Sequence, residues 1–251
     1  KKTLGIIGLG AIGSIVANTA ISLGMDVYGY DPFLSVDTAL RLDRHVHVVK
    51  DINDLYKRSD YITMHIHYTE KTAHMIDASA IAAMKRGVRV INLARGEIVD
   101  DEAMLTALDT GMVAAYITDF PNNRLLTAPH VIAMPHLGAS TPESEDNCAK
   151  MAVYEITEYL EKGTIRNSVN FPNLKVPYEG GYRICMIHKN TPGAISAITS
   201  ILTTARLNIE NMVNKSKKDV AYTLLDVTGD VTPDLTSKLA GIDAAIRVRI
   251  L

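Results

Sequence analysis

The segment L-G-I-I-G-L-G-A-I-G, from Leu4 to Gly13, decides the fold of the first half of the chain. A short apolar run leads directly into Gly8, Gly10 and Gly13, and a stretch of high helix propensity follows. This order predicts a buried strand, a tight turn and the start of a helix. Gly8 permits the turn, Gly10 lets another group approach the backbone closely, and Gly13 allows the helix to pack tightly.

An acidic residue after the second predicted strand indicates which kind of ligand the glycine segment would bind. Asp31 follows V-Y-G-Y, and a carboxylate there can accept hydrogen bonds from both ribose hydroxyls and would repel the extra phosphate of NADP. A plain strand-to-helix turn is the alternative, but the strand, the helix and the acid together favour a dinucleotide site for NAD. We expect Ala11 and Ile12 at the helix start, and Pro32 beside the acid, to line it.

Repeated apolar runs extend the pattern along the chain. They alternate with amphipathic segments, which is typical of a doubly wound α/β fold with a parallel sheet. Their continuous apolar character fits strands that helices cover on both faces. The runs are Leu4–Gly8, Val27–Tyr30, Tyr61–His65, Val88–Leu93, Ala114–Asp119 and Val131–Ala133.

The second half of the chain has a different order of elements. Ser140 or Thr141 can cap a long helix that ends at Gly163, and a segment rich in Pro and Gly follows. The remaining pattern is βαββαβ, a ferredoxin-like unit. We therefore predict a nucleotide-binding domain at 1–163, a linker at 164–181 and a second domain at 182–251.

Composition excludes several classes of protein. The 251 residues contain 47% hydrophobic and 22% charged residues, and the formal net charge of −2 gives no reason to expect binding to nucleic acid or an anionic membrane. Cys148 and Cys185 stand far apart, with no metal-ligand spacing nearby, so we expect no disulfide framework and no metal site. A reducing cytoplasm is the expected compartment. The start at Lys1 is interpreted as a truncated or processed end.

Four motifs in order, G-L-G-A-I-G, Y-D-P-F, N-L-A-R-G and P-H-L-G-A-S-T, resemble the D-2-hydroxyacid dehydrogenase family over residues 1 to about 170. The resemblance implies a Rossmann-like domain, NAD as cofactor, and Arg95 and His136 as catalytic residues. Imidazole can take the substrate hydroxyl proton, and a guanidinium can hold the substrate carboxylate. The resemblance also implies a split substrate domain whose first half would precede this chain.

Further positions are expected around the nicotinamide. The resemblance places Asp119 beside the carboxamide, Ala94 and His65 along the cofactor cleft, and Gly138 and Ala139 where small residues permit close approach. The family usually has a Glu five residues beyond the Asp to orient the catalytic His, but Arg124 occupies that position here. Either another carboxylate supports His136 or the local loop alignment differs.

The tail resembles an ACT domain, the amino-acid-sensing βαββαβ module. The resemblance implies an L-serine site between two subunits, so a homo-oligomer, dimer or tetramer, is expected. The helix start can receive a carboxylate, and amide side chains can take the ammonium and hydroxyl groups. The residues concerned are His188, Asn190, Pro192, Gly193 and Asn208.

Serine is the pathway product of 3-phosphoglycerate oxidation, so the expected substrate is 3-phosphoglycerate and the expected regulation is feedback by serine. A capped helix start without a ligand is the alternative for the tail. Two other functions remain open: a dehydrogenase for a different D-2-hydroxyacid such as 2-hydroxyglutarate, and a non-catalytic serine-responsive protein.

Overall fold

The computed structural model describes all 251 residues, which form two compact units, Lys1–Leu137 and Gly138–Leu251. Each unit has a sheet of its own.

The first unit is built on a seven-stranded parallel sheet of order β3-β2-β1-β4-β5-β6-β7. This confirms the predicted doubly wound, Rossmann-like α/β architecture. The strands are β1 (Thr3–Ile7), β2 (Asp26–Tyr30), β3 (Val46–Val48), β4 (Tyr61–Met64), β5 (Val88–Asn92), β6 (Val113–Thr118) and β7 (Val131–Ala133).

Two apolar clusters of the first unit explain why its strands lack a polar face. One contains Ile7, Ile62 and Val90, and the other contains Ile6 and Val27, all at most 1% exposed. Burial of both faces selects continuous apolar runs. The helices of this unit are α1 (Ala11–Ser22), α2 (Val36–Ala39), α3 (Ile52–Arg58), α4 (Ala78–Ala82), α5 (Asp101–Asp109) and α6 (Asn123–Thr127).

The strand order reverses at the centre of this sheet, where β1 lies between β2 and β4. In open α/β sheets, ligands bind beyond the carboxyl ends of the strands at this switch point. The glycine segment follows β1 and His65 follows β4, so the fold places both at the edge where a ligand is expected.

Strand β3 is an element that the pattern of apolar runs did not predict. It has only three residues, V-H-V, and forms the edge of the sheet beside β2. His47 and Val48 are exposed, so the strand lacks the apolar run that identified the buried strands.

The second unit begins with a long helix, α7 (Pro142–Lys162). The side chain of Thr141 accepts a hydrogen bond from the Ser144 N–H, and Pro142 lies in the first turn. Gly163 ends the helix in a left-handed conformation, with φ of 67°. The helix start and glycine stop predicted from the sequence are confirmed.

The remaining elements of this unit follow the predicted βαββαβ order. They form an antiparallel sheet of order β11-β8-β10-β9, with the apolar faces of two helices in its core. The elements are β8 (Tyr182–Lys189), α8 (Ala194–Thr204), β9 (Asn208–Lys217), β10 (Val220–Thr228), α9 (Leu235–Ala240) and β11 (Ala245–Ile250). None of the helices in the chain is both long and apolar enough to span a bilayer.

The division into units differs from the predicted division at residue 163, because α7 groups with the second sheet. Arg183, fully buried on β8, donates to the carbonyl oxygens of Lys162, Val176 and Pro177 and pairs with Asp226. These bonds fasten the end of α7 and the predicted linker to the antiparallel sheet. Composition predicted a linker at 164–181, and two of its carbonyl oxygens, those of Val176 and Pro177, accept hydrogen bonds from this one buried guanidinium.

Candidate active site

The glycine turn after β1 leaves no room for side chains at two of its positions. Gly8 has a φ of +91°, and a Cβ built there would lie 2.5 Å from the carbonyl oxygen of His65. A Cβ on Gly13 would collide with the carbonyl oxygen of Gly8. The turn therefore depends on both glycines, as the sequence predicted.

Gly10 differs from the other two glycines because space is open in front of it. No heavy atom lies within 4 Å of a Cβ built at Gly10. The residue precedes the twelve-residue helix α1, whose N-terminus has no side-chain cap, and the neighbouring Ala11 and Ile12 are exposed. The backbone N–H groups of the first turn thus face open space, a geometry suited to a phosphate group.

Asp31 lies beside this turn, at the end of β2. Its Oδ2 accepts a hydrogen bond from the Leu9 N–H at 2.9 Å, and its Oδ1 accepts one from the Phe33 N–H at 2.8 Å. Each oxygen keeps acceptor capacity, since a carboxylate offers about four lone-pair sites. Pro32, next to it, is exposed. The carboxylate is therefore held in place with room to accept further hydroxyl donors.

His65 lies on the other side of the glycine turn, after β4. Its Nε2 lies 3.2 Å from Oγ1 of Thr63, and burial lowers the pKa of the imidazole below its usual value. Burial therefore favours the neutral form of this imidazole. His67 is exposed. No group of three or more His, Cys, Asp or Glu side chains in the structure is arranged to hold a metal ion.

Arg95 lies in the loop after β5, and Asn92 holds that loop. The fully buried Asn92 amide donates to the Arg95 carbonyl oxygen at 2.9 Å and accepts from the Ala94 N–H at 3.2 Å. The Arg95 guanidinium donates to the Ala94 carbonyl oxygen and is otherwise exposed. The role of Asn92 was missed, although it is the first residue of the N-L-A-R-G motif.

His136, after β7, has a carboxylate partner on the neighbouring strand end. Its Nδ1 lies 2.7 Å from Oδ2 of Asp119, which follows β6 and is 9% exposed. Arg124 is directed elsewhere, because its two terminal nitrogens bind the two carboxylate oxygens of Glu102. The open question of which carboxylate supports His136 is answered by geometry: the partner is Asp119.

Phe120 brings the two predicted catalytic side chains to one place. Its ring centroid lies 4.4 Å from that of His136, and the Arg95 guanidinium carbon lies 5.8 Å from the same ring centroid. Arg95 and His136 therefore both lie beside one aromatic ring at the carboxyl edge of the sheet. Phe120 was not predicted as a site residue, because an aromatic residue after a strand gives no signal of contact with two distant motifs.

The predicted site residues of the second unit differ in their exposure to solvent. Gly138 and Ala139 are exposed at its start. His188 is 2% exposed, with Nδ1 2.8 Å from the Lys189 carbonyl oxygen and Nε2 2.8 Å from Oγ1 of Thr223. Both ring nitrogens are thus occupied, which differs from the expectation of a ligand-contacting side chain.

The other four predicted effector residues are exposed near the start of α8 and of β9. Gly193 is the N-cap of α8 with a φ of 83° and gives it no side-chain cap. The side-chain amide of Asn190 donates to the Lys218 carbonyl oxygen, and that of Asn208 donates to Glu210. Pro192 is exposed beside Gly193.

The residues of the first unit fit a nicotinamide dinucleotide. The open helix start at Gly10 suits the pyrophosphate and Asp31 suits a ribose. Oδ1 of Asp119 is buried and has no hydrogen-bond partner, so it can accept from an amide N–H. The three features lie after β1, β2 and β6, at the carboxyl edge of one sheet.

Comparison with known proteins gives the same family for sequence and structure. The model for the NAD-binding domain of D-isomer specific 2-hydroxyacid dehydrogenases matches residues 1–138. The D-3-phosphoglycerate dehydrogenase of Haemophilus influenzae is 36% identical over 100% of this chain, which spans 63% of that relative's length.

Two solved structures resemble the chain over about the same portion. The D-mandelate dehydrogenase of Rhodotorula graminis has a TM-score of 0.58 at 28% identity and covers 63% of this chain and 48% of its own. The D-lactate dehydrogenase of Aquifex aeolicus, solved with NAD and lactic acid, has a TM-score of 0.55 at 29% identity. The match covers 64% of this chain and 54% of the lactate dehydrogenase chain. The chain belongs to the D-isomer specific 2-hydroxyacid dehydrogenase family, and its first unit is the NAD-binding domain of that family.

Proposed function

We propose that the protein oxidises D-3-phosphoglycerate to 3-phosphohydroxypyruvate with NAD, the first step of L-serine formation, under feedback by L-serine. The observation that carries the redox role is the placement of Arg95 and His136 against one ring, Phe120. A substrate bound beside that ring would meet a cation and a proton acceptor at the same time.

The residues divide the chemistry between them. The Arg95 guanidinium holds the substrate carboxylate by paired hydrogen bonds and stabilises charge on the carbonyl oxygen. The substrate hydroxyl gives its proton to Nε2 of His136, which becomes an imidazolium ion, while the C–H bond breaks with its electron pair. NAD supplies the hydride acceptor. In the reverse direction the imidazolium returns the proton to the carbonyl oxygen.

The choice of substrate is supported by the extent of the similarity. The H. influenzae relative aligns with the whole chain, including the second unit, whereas the mandelate and lactate dehydrogenases cover 63% and 64% of it. A second unit shared with a phosphoglycerate enzyme supports that substrate over the simpler hydroxyacids.

The second unit supports serine control through the start of α8, as an ACT domain would provide. Asn190, Pro192, Gly193 and Asn208 are exposed, and the α8 N-terminus has no side-chain cap. A carboxylate suits such a helix start. Buried His188 would position the turn by its bonds to Lys189 and Thr223 and would not touch the effector. Pairing of the exposed edge strand β9 with a second copy would build a homo-oligomer.

Steady-state kinetics test this proposal. The purified protein should form NADH from D-3-phosphoglycerate faster than from D-lactate or D-2-hydroxyglutarate, and L-serine should inhibit while D-serine should not. Equal rates with all three acids would refute the substrate assignment. Turnover unaffected by L-serine would refute the regulatory part alone, and His136→Ala with unchanged turnover would refute the mechanism.

A further inference from the structure

We propose that the Tyr116 hydroxyl positions two loops of this site, the loop of Arg95 and the turn of Phe120. It acts through the side chains of Asn92 and Thr118, and these two residues together with Tyr116 are called the polar bridge. The proposal rests on the proposed function, because it concerns how Arg95 is presented to the substrate carboxylate. Tyr116 is 1% exposed, so it acts through the main chain of these loops and not on a ligand.

Strands β5 and β6 bring the three polar side chains of the bridge onto one face of the sheet. Asn92, the last residue of β5, lies opposite Thr118, the last residue of β6, and Tyr116 lies two residues before Thr118. Residues two apart along a strand share a face of the sheet. All three are at most 1% exposed, and Tyr116 belongs to the apolar core cluster of the first unit. Polar groups in such surroundings are costly unless they bond to one another.

The hydrogen bond between Asn92 and Tyr116 supports the loop of Arg95. Nδ2 of Asn92 donates to the Tyr116 hydroxyl oxygen at 3.3 Å and to the Arg95 carbonyl oxygen at 2.9 Å. Oδ1 of Asn92 accepts from the Ala94 N–H at 3.2 Å. A side-chain amide has two donor hydrogens, and Tyr116 takes the one that does not bind the loop. The hydroxyl therefore fixes the rotation of the amide, which in turn holds two main-chain groups of the loop.

Thr118 is the partner of the Tyr116 hydroxyl on the side of the Phe120 turn. Oγ1 of Thr118 accepts from the Phe120 N–H at 3.1 Å. Burial raises the pKa of Tyr116 above its usual value, whereas hydrogen bonding to Asn92 and to Thr118 acts in the opposite direction. The hydroxyl keeps its proton at neutral pH, so it can accept from Asn92 and donate to Thr118. The polar bridge thus connects the Arg95 loop to the Phe120 turn.

This connection affects the site because the Phe120 ring lies beside both proposed catalytic side chains. The Arg95 guanidinium donates to the Ala94 carbonyl oxygen of its own loop and is otherwise exposed, so its position depends on the main chain of that loop. Loss of the Tyr116 hydroxyl would leave the Asn92 amide free to rotate and would loosen the loop. The glycine turn, which follows β1, would keep its structure.

Amide hydrogen exchange measured by NMR tests the polar bridge without cofactor or substrate. In Tyr116→Phe, which keeps the ring, the Ala94 N–H and the Phe120 N–H should exchange roughly 3-fold to 10-fold faster, the range for one neutral hydrogen bond. Tyr56→Phe is the matched control, because Tyr56 is a buried tyrosine of the same apolar cluster without a hydrogen bond to either loop. It should leave both rates unchanged. An unchanged rate at either amide in Tyr116→Phe would overturn the proposal, and so would a uniform acceleration throughout the first unit.

Substitution of Thr118 tests the bridge from its other end and does not depend on the folding of Tyr116→Phe. Thr118→Val removes the hydroxyl and keeps a side chain of similar size, so the Ala94 N–H at the far end of the bridge should again exchange faster. Thr118→Ser retains the hydroxyl and should leave that rate unchanged. An Ala94 exchange rate that is equal in the two variants would refute the link through Tyr116.

Turnover distinguishes this positioning role from a general effect on the fold. Tyr116→Phe should lower kcat/KM for D-3-phosphoglycerate roughly 3-fold to 10-fold, whereas Kd for NAD should stay unchanged, since the glycine turn and Asp31 follow other strands. Tyr56→Phe should change neither value. An equal loss of NAD affinity in Tyr116→Phe would refute the positioning role. If the unaltered protein fails to oxidise D-3-phosphoglycerate, the substrate assignment is wrong, and the exchange rates still decide whether Tyr116 holds the two loops.

Discussion

Alanine at Gly10 and at Gly13 should separate cofactor binding from folding. A Cβ at Gly10 meets no atom within 4 Å and the φ is −66°, so Gly10→Ala should lose less stability than Gly13→Ala. The new methyl group would stand between the first turn of α1 and the pyrophosphate. Loss of one backbone hydrogen bond to a charged phosphate costs about 1.5–3 kcal/mol, so Kd for NAD should rise roughly 10-fold to 100-fold.

Gly13→Ala should have the opposite profile. Its Cβ would collide with the Gly8 carbonyl oxygen, a backbone atom that cannot rotate away. Overpacking of this kind costs about 1–3 kcal/mol. For a domain of this size, that lowers the melting temperature by roughly 3–10 °C. Differential scanning calorimetry and titration with NAD measure the two effects. Gly10→Ala with the NAD affinity of the unaltered protein would refute the placement of the pyrophosphate.

Three further substitutions test other parts of the structure. Arg95→Lys keeps the charge but removes the paired geometry, so kcat/KM in NAD reduction should fall roughly 10-fold to 100-fold; an unchanged value would exclude bidentate binding. Asp60 accepts from the Thr3 N–H and pairs with Lys85, and these contacts hold its pKa below 3.8. Because the folded pKa is depressed, this stabilisation is present above pH 3.8 and is lost as the pH falls through the folded value. Asp60→Ala should therefore be about 1.5–3 kcal/mol less stable at pH 7 in urea unfolding, and the difference should shrink in acid; a constant difference would refute the assignment. Arg183→Ala leaves Asp226 without its partner and should destabilise the second unit by about 3–5 kcal/mol, seen as an earlier urea transition of that unit.

The sequence predicted the features that depend on local chemistry. Gly8 and Gly13 indicated the turn because no other residue fits at these positions. The apolar runs predicted six of the seven parallel strands, because strands buried on both faces have continuous apolar sequences. Strand β3 was missed because a short, exposed edge strand carries no such pattern.

Features that depend on contacts between distant segments could not be predicted in this way. The pairing of Asp119 with His136, the position of Phe120 and the burial of His188 each require two or more strands to be placed beside one another. Arg124 illustrates the difficulty, since its motif position suggested proximity to His136 whereas Glu102 on another helix binds it. A motif gives the order of residues along the chain but not the direction of each side chain.

The two hydrogen bonds of Asp31 have a consequence for redesign of the cofactor preference. Replacing this acid by a small or basic residue, a common route toward NADP, would also free the Leu9 N–H and the Phe33 N–H. Leu9 belongs to the glycine turn, so a variant that admits the extra phosphate of NADP would loosen the loop that is proposed to hold the pyrophosphate. A successful switch would need a new acceptor for Leu9, for instance a serine or asparagine side chain, introduced together with the cation.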